Sequence, residues 1–145
     1  MSRVYLDWNA TTPLRAEARA AMIAAMDTLG NPSSVHAEGR AAKSLMERSR
    51  AKIAAALGAE GADIVFTAGA TEAAALACAG RGLSCAEVEH EAVAAWCSPE
   101  LAVDAAGLVT VVEPARTAFQ LANSETGVAQ DLPEGSAVSD LTPGF

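Results

Sequence analysis

The sequence has few aromatic residues and no long apolar run. Phenylalanine, tryptophan and tyrosine make up 4% of its 145 residues. No apolar stretch approaches the roughly 18 residues that a membrane-spanning helix needs. The N-terminus also lacks the basic and then apolar pattern of a secretory signal. These absences argue against a membrane-spanning or secreted protein, and we expect a cytoplasmic location.

Positive charge is scarce and scattered. Lysine and arginine total 10 against 18 aspartates and glutamates, for a net charge of −8. No basic run is present that would attract a nucleic acid or an anionic bilayer. The sequence therefore predicts neither nucleic-acid nor membrane partners.

Cysteine and histidine are also sparse. Cys78, Cys85 and Cys97 are odd in number and form no C-x-x-C pair. This pattern favours buried free thiols over disulfides or a metal cluster. His36 and His90 have no ligand spacing to each other or to the cysteines, so no metal site is predicted.

Alanine supplies much of the 51% hydrophobic content, which favours helices around a thin core. Strands that alternate with helices predict an α/β fold with a mostly parallel sheet flanked by helices. Gly30 and Gly58 are predicted helix stops, a serine of the 30–34 turn is a predicted N-cap, and Ser98-Pro99 is expected to end or restart a helix. Helices are predicted over 16–28, 36–57, 71–79 and 91–96, and strands over 64–66, 83–86, 108–112, 118–122 and 135–138.

The stretch from Ile64 to Ala77 carries the clearest functional signal. Its apolar residues 64–66 predict a buried strand, and the small residues 67–69 then turn the chain into a helix. The unpaired N–H groups at that helix start, together with the Thr71 hydroxyl, could bind an anion such as phosphate. An ordinary strand-turn-helix connection explains the same spacing.

Several polar residues directly follow predicted strands. They are Thr71, His90, the 123–125 segment and Asp140. In a parallel sheet the carboxyl ends of the strands lie at one edge, where ligands bind. We therefore expect these residues to lie at a common edge.

Five blocks of this sequence together resemble the cysteine desulfurase branch of the class V aminotransferases. These enzymes have fold type I and use pyridoxal 5′-phosphate, so the resemblance implies that cofactor and the large cofactor-binding domain of that fold. The blocks are Tyr5 to Pro13, Gly30 to Arg40, Phe66 to Glu72, Glu89 to Val93 and Ala122 to Asp131.

The resemblance implies a role for each residue at the predicted edge. Ala70 and Thr71 would hold the cofactor phosphate, and His90 would stack on the pyridine ring and relay protons. Asp140 would pair with the pyridinium nitrogen. Ser124 stands where the family has an asparagine that reaches the cofactor's phenolic oxygen. Considered alone, His90 also fits a surface helix start, and Asp140 fits a turn at the end of a strand.

The resemblance also implies how the chain is organised. Residues 1–145 would form the N-terminal part of the large domain, with residues 1–14 as an N-terminal arm. The Schiff-base lysine and the sulfur-accepting cysteine would lie in a C-terminal part outside this chain, because Lys43 and Lys52 match neither position. The isolated chain is therefore expected to be inactive. A second departure follows Asp140, where the family has an alanine and, two residues later, a glutamine, whereas this chain has Leu141-Thr142-Pro143 and lacks that side-chain contact.

The expected reaction converts L-cysteine to alanine and a protein persulfide, which supplies sulfur for iron-sulfur clusters. A homodimer and a sulfur-acceptor protein are the expected partners. Two alternatives stay open at this point. One is another class V reaction, catalysed by a lyase, epimerase or transaminase, and the other is a truncated paralogue that serves as a binding subunit.

Overall fold

The computed structural model describes residues 3–6, 8 and 10–142. Asp7 and Asn9 of the first family block, and Pro143, lie outside the described residues. The chain divides into two compact units, Met1–Phe66 and Thr67–Phe145. The assignment of 1–145 to one large domain with an arm over 1–14 stays a prediction.

Two helices dominate the first unit, and both agree closely with the sequence pattern. Helix α1 spans Ala16–Met26 and helix α2 spans Ala37–Ala56. The predicted serine N-cap of α2 is wrong. His36 is the cap, and its Nδ1 accepts a hydrogen bond from the Gly39 N–H at 3.4 Å. Ser34 instead closes the preceding turn, where its N–H donates to the Asn31 carbonyl.

Two glycines let the 30–36 turn pack closely on the start of α2. A Cβ on Gly39 would clash with the Ser34 carbonyl and would lie 2.7 Å from the Asn31 carbonyl. Gly30 has a φ of +146°, and a Cβ there would overlap the Glu38 carbonyl. A residue with a side chain would push the turn away from the helix. Close backbone contact therefore accounts for both glycines of this block.

The predicted strand over 64–66 is wrong, because no described strand pairs with it. The segment has no regular secondary structure, and Val65 is 71% exposed. The Arg50 guanidinium of α2 donates to the Ile64 carbonyl and stacks over the Phe66 ring, 4.7 Å from its centroid. Apolar β-branched residues favour a strand only where a neighbouring strand accepts them. Here a helix side chain binds the segment instead.

The second unit alternates helices and strands around parallel pairs. Strand β1 (Ser84–Ala86) pairs with β2 (Ser98–Leu101), and strand β3 (Ala118–Gln120) pairs with β4 (Val138–Asp140). A parallel bridge joins Ser84 of β1 to Thr117, the residue before β3. The described strands thus run in the order β2-β1-β3-β4. This mixed α/β architecture confirms the predicted fold class. The elements are α3 (Ala70–Cys78), β1 (Ser84–Ala86), α4 (Glu91–Ala94), β2 (Ser98–Leu101), a 3-10 helix (Pro114–Arg116), β3 (Ala118–Gln120) and β4 (Val138–Asp140).

Three local predictions in this unit are wrong. Ser98-Pro99 does not end a helix but opens β2, which pairs only with β1 among the described strands, and such an edge tolerates proline. The 108–112 stretch is not a strand, because Val109 makes only a single antiparallel bridge to Val103 across a turn. Strand β4 begins at Val138 rather than at residue 135, since the Ser136 N–H bonds back to the Pro133 carbonyl.

The core of the second unit is thin, as the alanine content predicted. It consists of small and medium side chains from α3, β1, α4 and β3. They are Cys78, Leu83, Cys85, Val93 and Ala118. Because these residues connect both helices to both strand pairs, the core fixes the helix starts relative to the strand ends.

Candidate functional site

The carboxyl ends of β1, β3 and β4 and the starts of α3 and α4 lie at one edge of the second unit. Each helix runs back toward the amino edge before the next parallel strand begins, so helix starts and strand ends share the opposite edge. Ligands of open α/β sheets bind at this edge. Ala70, Thr71, His90, Ser124 and Asp140 are all at such positions.

The start of α3 has no side-chain cap. Gly69 is the N-cap residue, and a Cβ built on it would meet no atom within 4 Å. Ala70 and Thr71 follow in the first turn and are exposed. The Glu72 carboxylate accepts from the Ala68 N–H, just before the helix. The first N–H groups of a helix have no intrahelical acceptor, so this start can bind an anion.

His90 is the N-cap of α4. Its Nδ1 accepts a hydrogen bond from the Ala92 N–H at 3.1 Å, and the ring is exposed. A neutral ring that accepts at Nδ1 carries its proton on Nε2. The ring is therefore held in one orientation with its Nε2–H available at the edge.

Asp140 is the last residue of β4 and lies opposite Gln120 of β3 in the parallel register. Its carboxylate accepts from the Thr142 N–H at 2.9 Å and from the Thr142 hydroxyl at 2.6 Å. Its backbone carbonyl accepts from the Leu121 N–H. The Asp140 carboxylate is thereby positioned by its own turn and by the neighbouring strand.

Ser124 belongs to a loop that Asn123 organises. Asn123 is 4% exposed, whereas Ser124 is exposed. The Asn123 Oδ1 accepts from the N–H groups of Glu125 and Thr126, and its Nδ2 donates to Gln120 Oε1 at 2.9 Å and to the carbonyl of Val88. The Asn123 side chain therefore joins the ends of β1 and β3, and the position of Ser124 depends on it.

Glu89 lies between these strand ends. Its Oε1 accepts from the Gln120 N–H at 2.9 Å. Burial raises the pKa of the Glu89 carboxyl from 4.5 to about 7, the Gln120 N–H lowers it, and the negative charge of Asp140 raises it. Glu89 is thus a carboxyl that changes protonation near neutral pH.

The structure ties Asp140 to Gln120 and Glu89, while Ala70, Thr71, His90 and Ser124 are exposed at the same edge. Glu89 and Gln120 were not predicted as site residues. The sequence did contain a sign of each. Glu89 is an acid directly before His90, and Gln120 is the one amide within the otherwise apolar 118–122 stretch. Neither sign predicts that the two residues form a hydrogen bond, because that contact depends on the order of the strands.

The three cysteines lie in the core beside this edge. Cys78 and Cys85 are buried and Cys97 is half-buried, in agreement with the prediction of buried free thiols. Burial raises the pKa of all three thiols, and it raises that of Cys97 from 9.0 to about 12. They are therefore poor nucleophiles in the folded chain.

We expect slow modification of Cys97 by iodoacetamide at pH 8. A pKa of about 12 in place of 9.0 lowers its thiolate fraction roughly a thousandfold. Mass spectrometry of the alkylated chain against time measures the rate, and the chain in urea is the control. Equal rates in the folded and unfolded chain would contradict this prediction.

A cavity of about 430 Å³ lies in the first unit, and none of the five predicted site residues lines it. Glu47, Arg50 and Asp63 contribute its charged groups. Arg50 is already engaged by Glu47 at 3.6 Å and by the Ile64 carbonyl. We therefore base no function on this cavity.

The described residues contain no group of three or more histidine, cysteine or acidic side chains arranged to hold a metal ion. None of their helices has both the length and the apolarity needed to cross a bilayer.

Comparisons with known proteins all point to one family. The family model described as "Aminotransferase class-V" matches residues 4–97. The cysteine desulfurase IscS of Dictyoglomus turgidum is 43% identical over 65% of this chain, and the human selenocysteine lyase is 46% identical over 48%. Cysteine desulfurase 2 of Trichormus variabilis is 35% identical over 88%. No solved structure gives a significant match.

The matches cover only part of each relative. The match covers 26% of the IscS protein, 16% of the human lyase and 39% of cysteine desulfurase 2. The chain thus spans well under half the length of the curated relatives that it matches.

Proposed function

Since this chain belongs to the class-V aminotransferase family, we propose that it is the cofactor-binding part of a cysteine desulfurase-like enzyme. The start of α3 carries the proposal. It presents uncapped N–H groups and open space beside Gly69, at the edge that also bears His90 and Asp140. That combination occurs in a chain 43% identical to a cysteine desulfurase.

The residues of this edge fit pyridoxal 5′-phosphate. Ala70 and Thr71 would hold the phosphate, because the helix start supplies N–H donors and a favourable dipole for a dianion. Glu72 opposes this weakly by its negative charge, yet its carboxylate is engaged by the Ala68 N–H. His90 supplies a flat ring for stacking, and Asp140 supplies a carboxylate for the ring nitrogen.

When bound, pyridoxal phosphate supplies a cationic ring that withdraws electrons from the amino-acid substrate. Asp140 would hold a proton on the ring nitrogen, and its two hydrogen bonds from Thr142 orient its carboxylate for this role. His90 would present its Nε2–H at the edge, where it can pass a proton. Ser124 would offer a shorter donor than the family's asparagine, so its hydroxyl would reach less far toward the phenolic oxygen.

The proposed net reaction takes sulfur from L-cysteine. The carbon–sulfur bond of cysteine breaks, a protein thiol gains the sulfur as a persulfide, and alanine leaves. None of Cys78, Cys85 and Cys97 suits the thiol's role, because burial raises their pKa values. The Schiff-base lysine, the accepting thiol, the homodimer and a sulfur-acceptor protein belong to this proposal. The cytoplasmic location predicted from the sequence stays a prediction.

The lyase alternative rests on the human selenocysteine lyase, whose match covers 48% of this chain. The IscS match covers 65%, and a second relative, the IscS-like cysteine desulfurase of Mycobacterium tuberculosis, is matched over 61%. The broader matches favour sulfur over selenium as the element transferred.

Replacing Thr71 with valine should weaken the binding of pyridoxal 5′-phosphate. Valine has nearly the shape of threonine but offers no hydroxyl to the phosphate, so we expect about a tenfold rise in Kd. Titration of the chain with pyridoxal 5′-phosphate, followed by cofactor absorbance, gives the Kd. Pyridoxal, which lacks the phosphate, should bind the parent and the variant equally.

Asp140→Asn is the matched control. Because it acts at the ring rather than at the phosphate, any rise that it causes in the Kd for pyridoxal 5′-phosphate should be equal for pyridoxal, unlike the rise caused by Thr71→Val. In the chain joined to the lysine-bearing part, it should instead slow the release of alanine from L-cysteine. If Thr71→Val binds the cofactor as tightly as the parent, the start of α3 is not the phosphate site.

A further inference from the structure

Glu89 is the acidic residue that the proposed chemistry leaves without a role. It lies in the segment that connects β1 to α4 and directly precedes His90, the N-cap of α4. Its Oε1 accepts from the Gln120 N–H across the boundary between β1 and β3, a bond between residues 31 positions apart. This bond ties the segment that carries His90 to the strand that lies beside Asp140.

The other carboxyl oxygen of Glu89 has no such partner. Glu89 Oε2 is buried, and no described residue donates to it. None of the ion pairs among the described residues includes Glu89. A buried anionic oxygen without a donor is far more costly than a neutral hydroxyl. The geometry therefore favours a neutral Glu89 that bears its proton on Oε2.

We propose that Glu89 is a positioning residue that, as a neutral carboxylic acid, joins the start of α4 to β3 and leaves Asp140 as the carboxylate of this edge. Glu89 Oε1 makes this connection by accepting a hydrogen bond from the Gln120 N–H. The other holds the proton that would otherwise be lost to give a second negative charge beside Asp140.

The groups around Glu89 are acidic or neutral on every packed element. Asp140 faces it from β4, Cys78 from α3 and Cys85 from β1, and Cys97 lies after α4. The thiols stay protonated because burial raises their pKa values, so they add no charge. Among these groups, only Glu89 and Asp140 can therefore place negative charge at this edge.

This inference deepens the proposed function and rests on it for the role of Asp140. A carboxyl that faces a cationic ring stays ionised more readily when its neighbour is neutral, because pairs of carboxyls at one site separate into an acid and a base. Glu89 touches neither the ring nor the phosphate in this assignment. It acts through Gln120 and Asp140.

The test is a carboxyl titration of the whole chain by carbon-13 NMR, without cofactor. The parent should show Glu89 titrating near pH 7, with a simultaneous small shift of the Asp140 signal. In Glu89→Gln, which resembles the protonated acid, that shift of the Asp140 signal should vanish. Glu91→Gln, an acid in the first turn of α4, is the matched control and should leave the shift in place.

Hydrogen exchange of the Gln120 amide tests the joining role. Glu89→Ala removes the acceptor, so protection of the Gln120 N–H should fall roughly tenfold or more. Glu89→Gln retains a side-chain oxygen and should restore most of that protection. A purely space-filling role would affect both variants alike.

Three results would overturn the proposal. They are a Glu89 midpoint below pH 5 in the parent, unchanged Gln120 protection in Glu89→Ala, and equal losses in Glu89→Gln and Glu89→Ala. The first needs no variant, so a variant that does not fold leaves the proposal falsifiable. Because no cofactor is present, failure here is distinct from failure of the Thr71 test.

Discussion

Replacing Asn123 with alanine should lower the free energy of unfolding by about 3 kcal/mol or more. The side chain is 4% exposed and makes four hydrogen bonds, which link the end of β1 to the loop after β3. Alanine would leave Gln120 Oε1 and the Val88 carbonyl without this donor. Urea unfolding of the parent and the variant at pH 7, followed by circular dichroism, measures the difference.

Ser124→Ala is the neighbouring control. Ser124 is exposed, and substitutions at such positions usually change stability by no more than about 0.5 kcal/mol. Asn123→Asp is a second informative variant, since it keeps the Oδ1 acceptor but places a carboxylate against Gln120 Oε1. If Asn123→Ala unfolds within 1 kcal/mol of the parent, taken as about the value of one hydrogen bond, the network does not hold this edge.

Stability should fall as the pH rises from about 4.5 to about 7, through the titration of Glu89. Its pKa is raised from 4.5 to about 7 on folding, so in this window the folded state holds a proton that the unfolded state has released. The stabilisation is fully present below the unfolded pKa and is lost as the pH passes the folded pKa. We expect the free energy of unfolding to fall by about 2 kcal/mol across this range. This is less than the full pKa shift implies, because the carboxyl is only partly buried.

This contribution is measured by urea unfolding of the parent and of Glu89→Gln at pH values from about 4 to about 8, a range that covers the titration of Glu89. Other carboxyls titrate in both proteins, so the difference between parent and variant isolates Glu89. The parent should lose stability relative to Glu89→Gln as the pH rises. A constant difference across the range would mean that folding does not change the pKa of Glu89.

Both effects arise from the same small network, and they bear on function in different ways. Asn123 holds the loop that carries Ser124, whereas Glu89 governs how much negative charge stands beside Asp140. A variant at Asn123 should therefore change the position of the Ser124 hydroxyl, and a variant at Glu89 should change the negative charge beside Asp140. The two can be separated by their pH dependence.

Local residue chemistry alone determined the helices and their limits. The alanine-rich stretches over α1, α2 and α3 specify helices with ends close to those observed, and Gly58 and Gly80 follow the ends of α2 and α3. The prediction that Gly30 stops α1 is wrong, because α1 ends at Met26 with Asp27 as its C-cap and Gly30 packs against the start of α2. The order of strands and helices also predicted that His90 and Asp140 lie at the carboxyl ends of parallel strands, because that placement needs only the alternation of strands with helices. The prediction for Thr71 relied on a strand over 64–66, which pairs with no described strand. These features depend on residues close together in the sequence.

Tertiary contacts decided the rest. The residues 64–66 have the composition of a strand, yet Arg50 binds their backbone and no described strand pairs with them. The side chains of Glu89 and Asn123 find their partners 31 and 35 residues away. They meet only because β1 and β3 lie side by side, and no local propensity encodes that adjacency. The strand ends that form the edge were therefore predictable from the sequence, whereas the contacts of Glu89 and Asn123 across β1 and β3 required the fold.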